Sequence, residues 1–426
     1  MREMKDSGIE WIGEISKDWK VKRCKNISNF INGYAFDSKA FQNDFLYSVI
    51  RIGDIKEGYI DNINCLGVSN NKGLDRYLIK ENDILLAMSG ATVGKVGIAH
   101  GIKDAYINQR VGIIRTTSPR FLFYCLSTRE FIEYILLRAD GSAQPNVSGD
   151  VYGEFYIPYP RLEEQNNISD FLDTKCSQID ATAEDIQKEI SLLEDYKKSV
   201  ITEAVTKGLN PDAEMKDSGV KWLPKIPKHW KVIPSKYLFA NSDIRRQTGD
   251  EQLTASQKYG IITQKDYTAK ENAQIVLATQ GLEKWKHVEP NDFIISLRSF
   301  QGGLEMSEIT GCITWHYVVL KAQKKVYYKY YKWLFKSARY INALQGTCNF
   351  IRDGQDLRFS NFALVPLFEL PLEEQQQIAD YLDSKCSEID ILIADKKRQL
   401  DILADYKKSL IYEYVTGKKE VPVKDF

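Results

Sequence analysis

Apolar and small residues recur at alternating spacings of four and three through Leu172, Cys176, Ile179, Ala183, Ile186, Ile190 and Leu193, then again at Val200 and Ala204. Lys197 interrupts the series. The pattern is a heptad seam of about five repeats, which predicts a coiled-coil helix. A second series on the same phase runs through Leu382, Cys386, Ile389, Ile393, Leu400, Leu403, Leu410 and Tyr414, with breaks at Lys396 and Lys407. A polar seam residue costs stability but can fix register. The first helix opens after Pro158-Tyr159-Pro160, with Glu163 and Glu164 suited to the positive end of its dipole. Gly208, Asn210 and Pro211 stop it. Each helix of about 45 residues would run roughly 65–70 Å and needs a partner for its seam. The other long helix is the nearest candidate, and a two-fold axis across the pair would make them antiparallel. The alternative is that each seam docks on its own globular region.

Outside the helices the pattern is mixed. Residues 77–89 and 288–296 each give an Asn-Asp turn followed by a short apolar strand. Residues 108–115 and 314–321 read as later strands, and 121–137 and 327–344 as amphipathic helices rich in aromatics. The fold class is therefore α+β.

The two series belong to an internal repeat of about 210 residues. Met4-Lys5-Asp6-Ser7-Gly8 returns as Met215-Lys216-Asp217-Ser218-Gly219, and Trp11, Ile15, Trp19 and Lys20 return as Trp222, Ile226, Trp230 and Lys231. Leu162-Glu163-Glu164-Gln165 returns as Leu372-Glu373-Glu374-Gln375, and Asp195-Tyr196-Lys197-Lys198-Ser199 as Asp405-Tyr406-Lys407-Lys408-Ser409. From Leu162 to Thr206, 24 of 45 positions match their partners, against roughly 6% expected from composition. So long a period means domain duplication, not a solenoid. The stretches between the shared blocks are mostly unlike each other, as suits two related but different contacts. The expected organisation is a first globular domain at 1–160, a long helix at 161–210, a second globular domain at 211–371, a second long helix at 372–417 and a tail at 418–426.

Composition narrows the chemistry. The 426 residues are 43% hydrophobic with zero net charge, enough for packed cores and neutral as to partners. The seven cysteines form no C-x-x-C and no zinc-spaced Cys/His cluster, and Cys176 and Cys386 read as small buried thiols. With no signal peptide and no apolar run of membrane-spanning length, the chain reads as cytosolic with no membrane contact. Gly90-Ala91-Thr92-Val93-Gly94-Lys95-Val96 resembles a P-loop superficially. It is one residue short between its glycines and lacks the Ser/Thr after Lys, so tight turns explain it better. There is no dinucleotide-binding fingerprint, no amino-methyltransferase motif, no nucleophile elbow, and only four histidines. Neither catalytic nor cofactor nor metal residues are expected.

Polar loops at matching places point instead to nucleic acid. In the first half these are Asn108-Gln109-Arg110 at a strand start, and Ser142, Gln144 and Asn146 after a helix. In the second they are Arg245-Arg246-Gln247, then Arg298, Ser299 and Gln301 on a glycine-flexed loop, then Gln345 and Asn349. Arg suits guanine and Asn/Gln suit adenine in the major groove, while nearby cations hold phosphates.

The lead-in from Lys5 to Ile15, the Leu-Glu-Glu-Gln helix start and the Asp-Tyr-Lys-Lys-Ser segment, each present twice and in order, resemble the specificity subunit of type I restriction-modification enzymes. The resemblance covers essentially the whole chain, and it adds the turn of Asn32 and Tyr34 and the turn of Ser89 and Lys95 to the regions expected to contact DNA. It implies two pseudo-symmetric target recognition domains joined by two long antiparallel coiled-coil helices, each domain reading one half of a split, asymmetric DNA target. It also implies docking of two methyltransferase subunits and of restriction-translocase subunits, which would carry S-adenosylmethionine, ATP and Mg²⁺, this chain carrying none. Leu172, Ile179, Ile186, Leu193, Leu382, Ile389, Leu400 and Leu403 are the expected docking residues. Half-sites about one helical turn (~34 Å) apart would lie on one DNA face. A stand-alone DNA-binding protein and a coiled-coil scaffold for proteins are the rival readings.

Overall fold

The computed structural model describes residues 3–42, 46–139, 145–271, 280–296, 299–347 and 357–422. It divides into two compact units, 1–186 with 398–426, and 187–397.

The first unit is built on a four-stranded antiparallel sheet. Its strands are β1 (Ser28–Asn32), β2 (Ile84–Ala87), β3 (Val96–Ile98) and β5 (Val111–Thr116), in the order β1-β5-β2-β3. β4 (Ala105–Ile107) pairs elsewhere, in parallel with Tyr47–Ile50. Both faces of the sheet are covered, which is why β2 is a continuous apolar run. Ile84, Leu86 and Ile114 pack on one side with Phe121 and Leu122, while Leu85, Ala87 and Ile113 pack on the other with Ile50 and Ile107.

The second unit repeats the plan. β6 (Phe239–Ser242), β7 (Phe293–Ile295), β8 (Glu305–Met306) and β10 (Val318–Ala322) lie in the order β6-β10-β7-β8, and β9 (Gly311–Ile313) precedes β10 outside that sheet. The Asn-Asp turns enter β2 and β7 in matching fashion. Asn82 and Asn291 take the left-handed region at φ 65° and 74°, where Asn is tolerated better than most residues. Asp83 and Asp292 behind them are buried, accept the amides of Lys80 and Glu289, and bind Arg115 and Lys321 at 2.8 Å.

Several elements differ from the sequence reading. The expected strand 108–115 begins only at Val111, and 314–321 only at Val318. Each expected aromatic helix is two: α1 (Pro119–Leu126) and α2 (Arg129–Arg138), then α4 (Tyr328–Lys336) and α5 (Ala338–Gln345). Thr128 and Ser337 cause the breaks by leaving the helical region to cap the next helix, their hydroxyls accepting the amides of Phe131 and Tyr340.

The long helices are α3 (Leu162–Lys207) and α6 (Leu372–Val415). In the first unit the Phe171 ring packs against that of Tyr414 and Asp180 accepts from Lys407, so the two run antiparallel. In the second, Glu189 pairs with Lys396 and Asp390 with Lys197, again antiparallel. The seam is buried at Leu172, Cys176, Ile179, Ile186, Ile190, Leu382, Cys386, Ile389 and Ile393. Leu193, Leu400 and Leu403 are half-buried. The residues expected to dock other subunits therefore hold the helices themselves. Exposed apolar side chains lie outside the seam, at Leu192, Tyr196, Ile402 and Tyr406.

The Leu-Glu-Glu-Gln blocks do more than suit a helix dipole. Glu164 accepts the Trp19 indole N–H at 2.9 Å and Glu374 that of Trp230 at 3.0 Å, while Gln165 and Gln375 donate to the carbonyls of Pro160 and Leu370. The lead-in strands Lys20–Arg23 and Lys231–Ile233 pair with Tyr156–Tyr159 and Leu367–Glu369, the strands that feed the long helices. Each repeated tryptophan thus locks a lead-in to a helix start.

Candidate nucleic-acid interface

Three chain segments meet at one end of the first sheet. Met88 follows β2 and donates its amide to the Arg110 carbonyl at 2.9 Å, while its own carbonyl accepts Val147 N–H at 2.8 Å. Gly90 N–H reaches Pro145 O at 3.0 Å, and Ser89 bridges Asn146. The result is a cleft of about 420 Å³ lined by Asn32, Met88, Ser89, Gln109, Arg110, Asn146, Val147 and Ser148. Five residues singled out from widely separated stretches of sequence, Asn32, Ser89, Gln109, Arg110 and Asn146, share it.

Gln109 and Arg110 sit at the tip of a turn between β4 and β5, not at a strand start, and the turn closes through Val111 N–H to Asn108 O at 2.8 Å. Both are exposed, and Arg110 reaches the Ser89 hydroxyl at 3.4 Å. Ser89 is itself buried and Asn146 is exposed. Behind the turn, Gly33 passes so close that a Cβ there would lie 1.9 Å from the Asn108 carbonyl oxygen. That approach lets Tyr34 N–H bond Ile107 O at 3.2 Å. Tyr34 lies against Phe36 and Tyr77, and Asn108 and Lys95 are half-buried beside the turns. Gly90 and Gly94 adopt positive φ in the turn from β2 to β3, the structural role expected for the P-loop-like stretch. Ser142 and Gln144 lie outside the described residues.

In the second unit the basic stretch Arg245-Arg246-Gln247 is exposed on a pinned loop. Arg245 donates to Lys284 O at 2.7 Å, and Arg246 N–H to Trp285 O at 2.9 Å. Buried Asp250 accepts Gln247 N–H at 2.7 Å and pairs with buried His287 at 2.9 Å. Ser299 does not face solvent: residues Ser299–Gly302 form a helical turn, and its hydroxyl, buried, accepts the Ser296 amide at 2.8 Å. Gln301 lies in that turn, and Gln345 ends α5 half-buried. Arg298 and Asn349 lie outside the described residues. Sequence reading missed Trp315 and His316, which fall in the turn before β10 because the strand starts late.

Comparison with known proteins follows the same lines. Residues 16–192 match the family described as "Type I restriction modification DNA specificity domain". A chain assigned as the MjaX type I restriction enzyme specificity subunit of Methanocaldococcus jannaschii is 24% identical over 435 residues, covering 96% of both chains. The EcoKI specificity subunit of Escherichia coli K12 is 24% identical over 230 residues, or 51% of this chain and 47% of that one. Among solved structures, a chain from a study of assembly and conformational transition in the type I R-M system superposes with a TM-score of 0.67 at 15% identity, over 95% of this chain and 99% of the other. The HsdS subunit of Thermoanaerobacter tengcongensis gives 0.50 at 16% identity over 95% and 98%. With the duplicated scaffold, the twin sheets and the paired long helices, these likenesses make the chain similar in sequence and fold to type I restriction-modification specificity subunits.

Proposed function

We propose that this chain binds double-stranded DNA and does no covalent chemistry itself. Each unit would read one half of a split target through the loops at the end of its four-stranded sheet. The carrying observation is the first-unit cleft, where Asn32, Gln109, Arg110 and Asn146 bring guanidinium and amide groups to one wall. Guanidinium pairs with guanine and amides pair with adenine in the major groove, so this wall can discriminate purines. Because the second unit presents different side chains, the two half-sites would differ.

In this reading the helix pair is the ruler that sets the spacer between half-sites. Two methyltransferase subunits and the restriction-translocase subunits would dock on the chain and contribute S-adenosylmethionine, ATP and Mg²⁺. Base-resolution methylation mapping of the host genome, with the gene present and deleted, tests the proposal. Loss of adenine methylation at one split, asymmetric motif is the expected result. No lost motif, with chain and methyltransferase both expressed, would favour a stand-alone binding or scaffold role. Exchanging residues 30–155 for another insert should change one half-site and spare the other.

A further inference from the structure

The two sheets share one register, which sets their end loops in correspondence. Asp83 and Asp292 open β2 and β7, and Ile113 faces Leu85 as Val319 faces Ile294. Counting back along β5 and β10 from these pairs, Gln109 and Arg110 correspond to Trp315 and His316. The turns themselves agree. Val111 N–H closes on Asn108 O at 2.8 Å, and Tyr317 N–H on Thr314 O at 3.0 Å. In the first unit this turn projects into the cleft proposed to read bases. In the second it carries an indole and an imidazole, stacked with centroids 3.5 Å apart and planes 28° apart.

A single exposed hydrophobic residue is ordinary on a protein surface. Trp315 differs from the other six tryptophans of this chain. Those six are buried or half-buried, and Trp11, Trp19, Trp222, Trp230 and Trp333 each place the indole N–H on a protein acceptor at 2.9–3.1 Å. Trp315 is 50% exposed at a turn tip, and His316 beside it is exposed as well. The large apolar ring is thus presented at the position where the other unit presents hydrogen-bonding groups.

We infer that Trp315 and His316 are base-contacting residues of the second recognition unit, with the indole reading a thymine methyl and the imidazole a neighbouring base edge. The thymine 5-methyl is the apolar group that the four bases offer in the major groove, so it is what an exposed apolar ring there can recognise. The imidazole supplies a donor and an acceptor for an adjacent base. The inference rests on the DNA-reading proposal above, and it assigns different readout chemistry to the two units: hydrogen bonding in the first, apolar contact in the second.

The test uses the complex assembled with its methyltransferase partner. Trp315→Ala should relax one position of one half-site in the methylation motif and lower binding at least tenfold, with the other half-site intact. Trp315→Phe should retain most of the discrimination, and the melting temperature of either variant should stay near that of the parent. Replacing the thymines of that half-site by uracil, one at a time, should weaken the parent complex at one position and leave Trp315→Ala indifferent there. An unchanged motif and affinity in Trp315→Ala would overturn the inference, as would a uniform loss with no thymine-uracil difference. A parent complex that deposits no split motif would instead remove the DNA-reading proposal, and the inference with it.

Discussion

Lys197 Nζ lies 2.6 Å from both carboxylate oxygens of Asp390, and the repeat reproduces the pair as Lys407 on Asp180 at 2.6 and 2.7 Å. Each of these lysines is a charged break in its heptad series, as Lys396 is in the second. Each reaches sideways from the seam to a carboxylate flanking an isoleucine, Ile389 or Ile179, on the opposing helix. A slip of the helices by one heptad would break both pairs together, setting Lys197 opposite Asp383 or Lys397 and Lys407 opposite Asp173 or Gln187, so the twin pairs belong to the observed alignment.

Lys197 is 25% and Asp390 58% exposed, so solvent screens much of the attraction. Charge reversal at Lys197→Glu should lower stability, and Asp390→Lys in the same chain should restore part of it. A double-mutant cycle by thermal unfolding should give a coupling of about 0.3–1 kcal/mol. No recovery in the swapped pair would refute a register role.

The Trp–Glu lock separates two adjacent glutamates. Glu374 accepts the buried Trp230 indole and also contacts His229 Nε2 at 2.7 Å, whereas Glu373 next to it is exposed. Glu374→Ala strips a buried donor of its partner and should cost about 1.5–3 kcal/mol, while Glu373→Ala should cost about 0.5 kcal/mol or less. Equal effects in chemical denaturation would mean that helix-dipole compensation, common to both, is the larger contribution.

Much of this scaffold was legible in the sequence because it depends on local periodicity. The heptads located both long helices, and the Asn-Asp turns located β2 and β7. The helix breaks at Thr128 and Ser337 were hidden because a single capping hydroxyl interrupts an otherwise continuous amphipathic pattern. The parallel pairing of Tyr47–Ile50 with β4 joins residues more than fifty positions apart, and no spacing rule encodes it. For the site, residue type identified Gln109, Arg110 and Asn146, but only the fold brings them together. Ser299 looked like surface chemistry and is an internal cap. Trp315 looked like strand filling and sits at a turn tip.

Buried seam thiols give a further check. Burial pushes the Cys176 thiol up to about 11, against the opposing pull of the Lys407 cation, and it raises the Cys386 thiol in the same direction. At pH 8 both should be overwhelmingly protonated and sterically covered, hence unreactive. Peptide mapping after alkylation should find neither labelled in the native chain and both labelled in urea. Native labelling of either would mean that the seam opens.

Gly33 supports the cleft without entering it. With Asn108 O only 1.9 Å from the site of any Cβ, Gly33→Ala must displace either its own segment or the 108–110 turn. The expected result is a stability loss of roughly 1–3 kcal/mol and weaker methylation confined to one half-site. Full activity at both half-sites would show that this turn does not position a reading surface.

Arg110 and Lys95 stand a short way apart in sequence but should fail differently. Arg110 projects from a turn tip into the cleft, where a guanidinium can reach a base edge, while Lys95 lies half-buried in the turn from β2 to β3. Arg110→Ala should cost about 1–3 kcal/mol of binding and relax one position of the first half-site. Lys95→Ala should weaken all sequences alike and reduce the slope of log affinity against log salt by about 1, as expected for one lost phosphate contact. Titrations at several salt concentrations, on matched and single-mismatch duplexes, separate the two. A salt-slope change in Arg110→Ala with no loss of discrimination would recast the cleft as a backbone clamp and move base reading elsewhere in the unit.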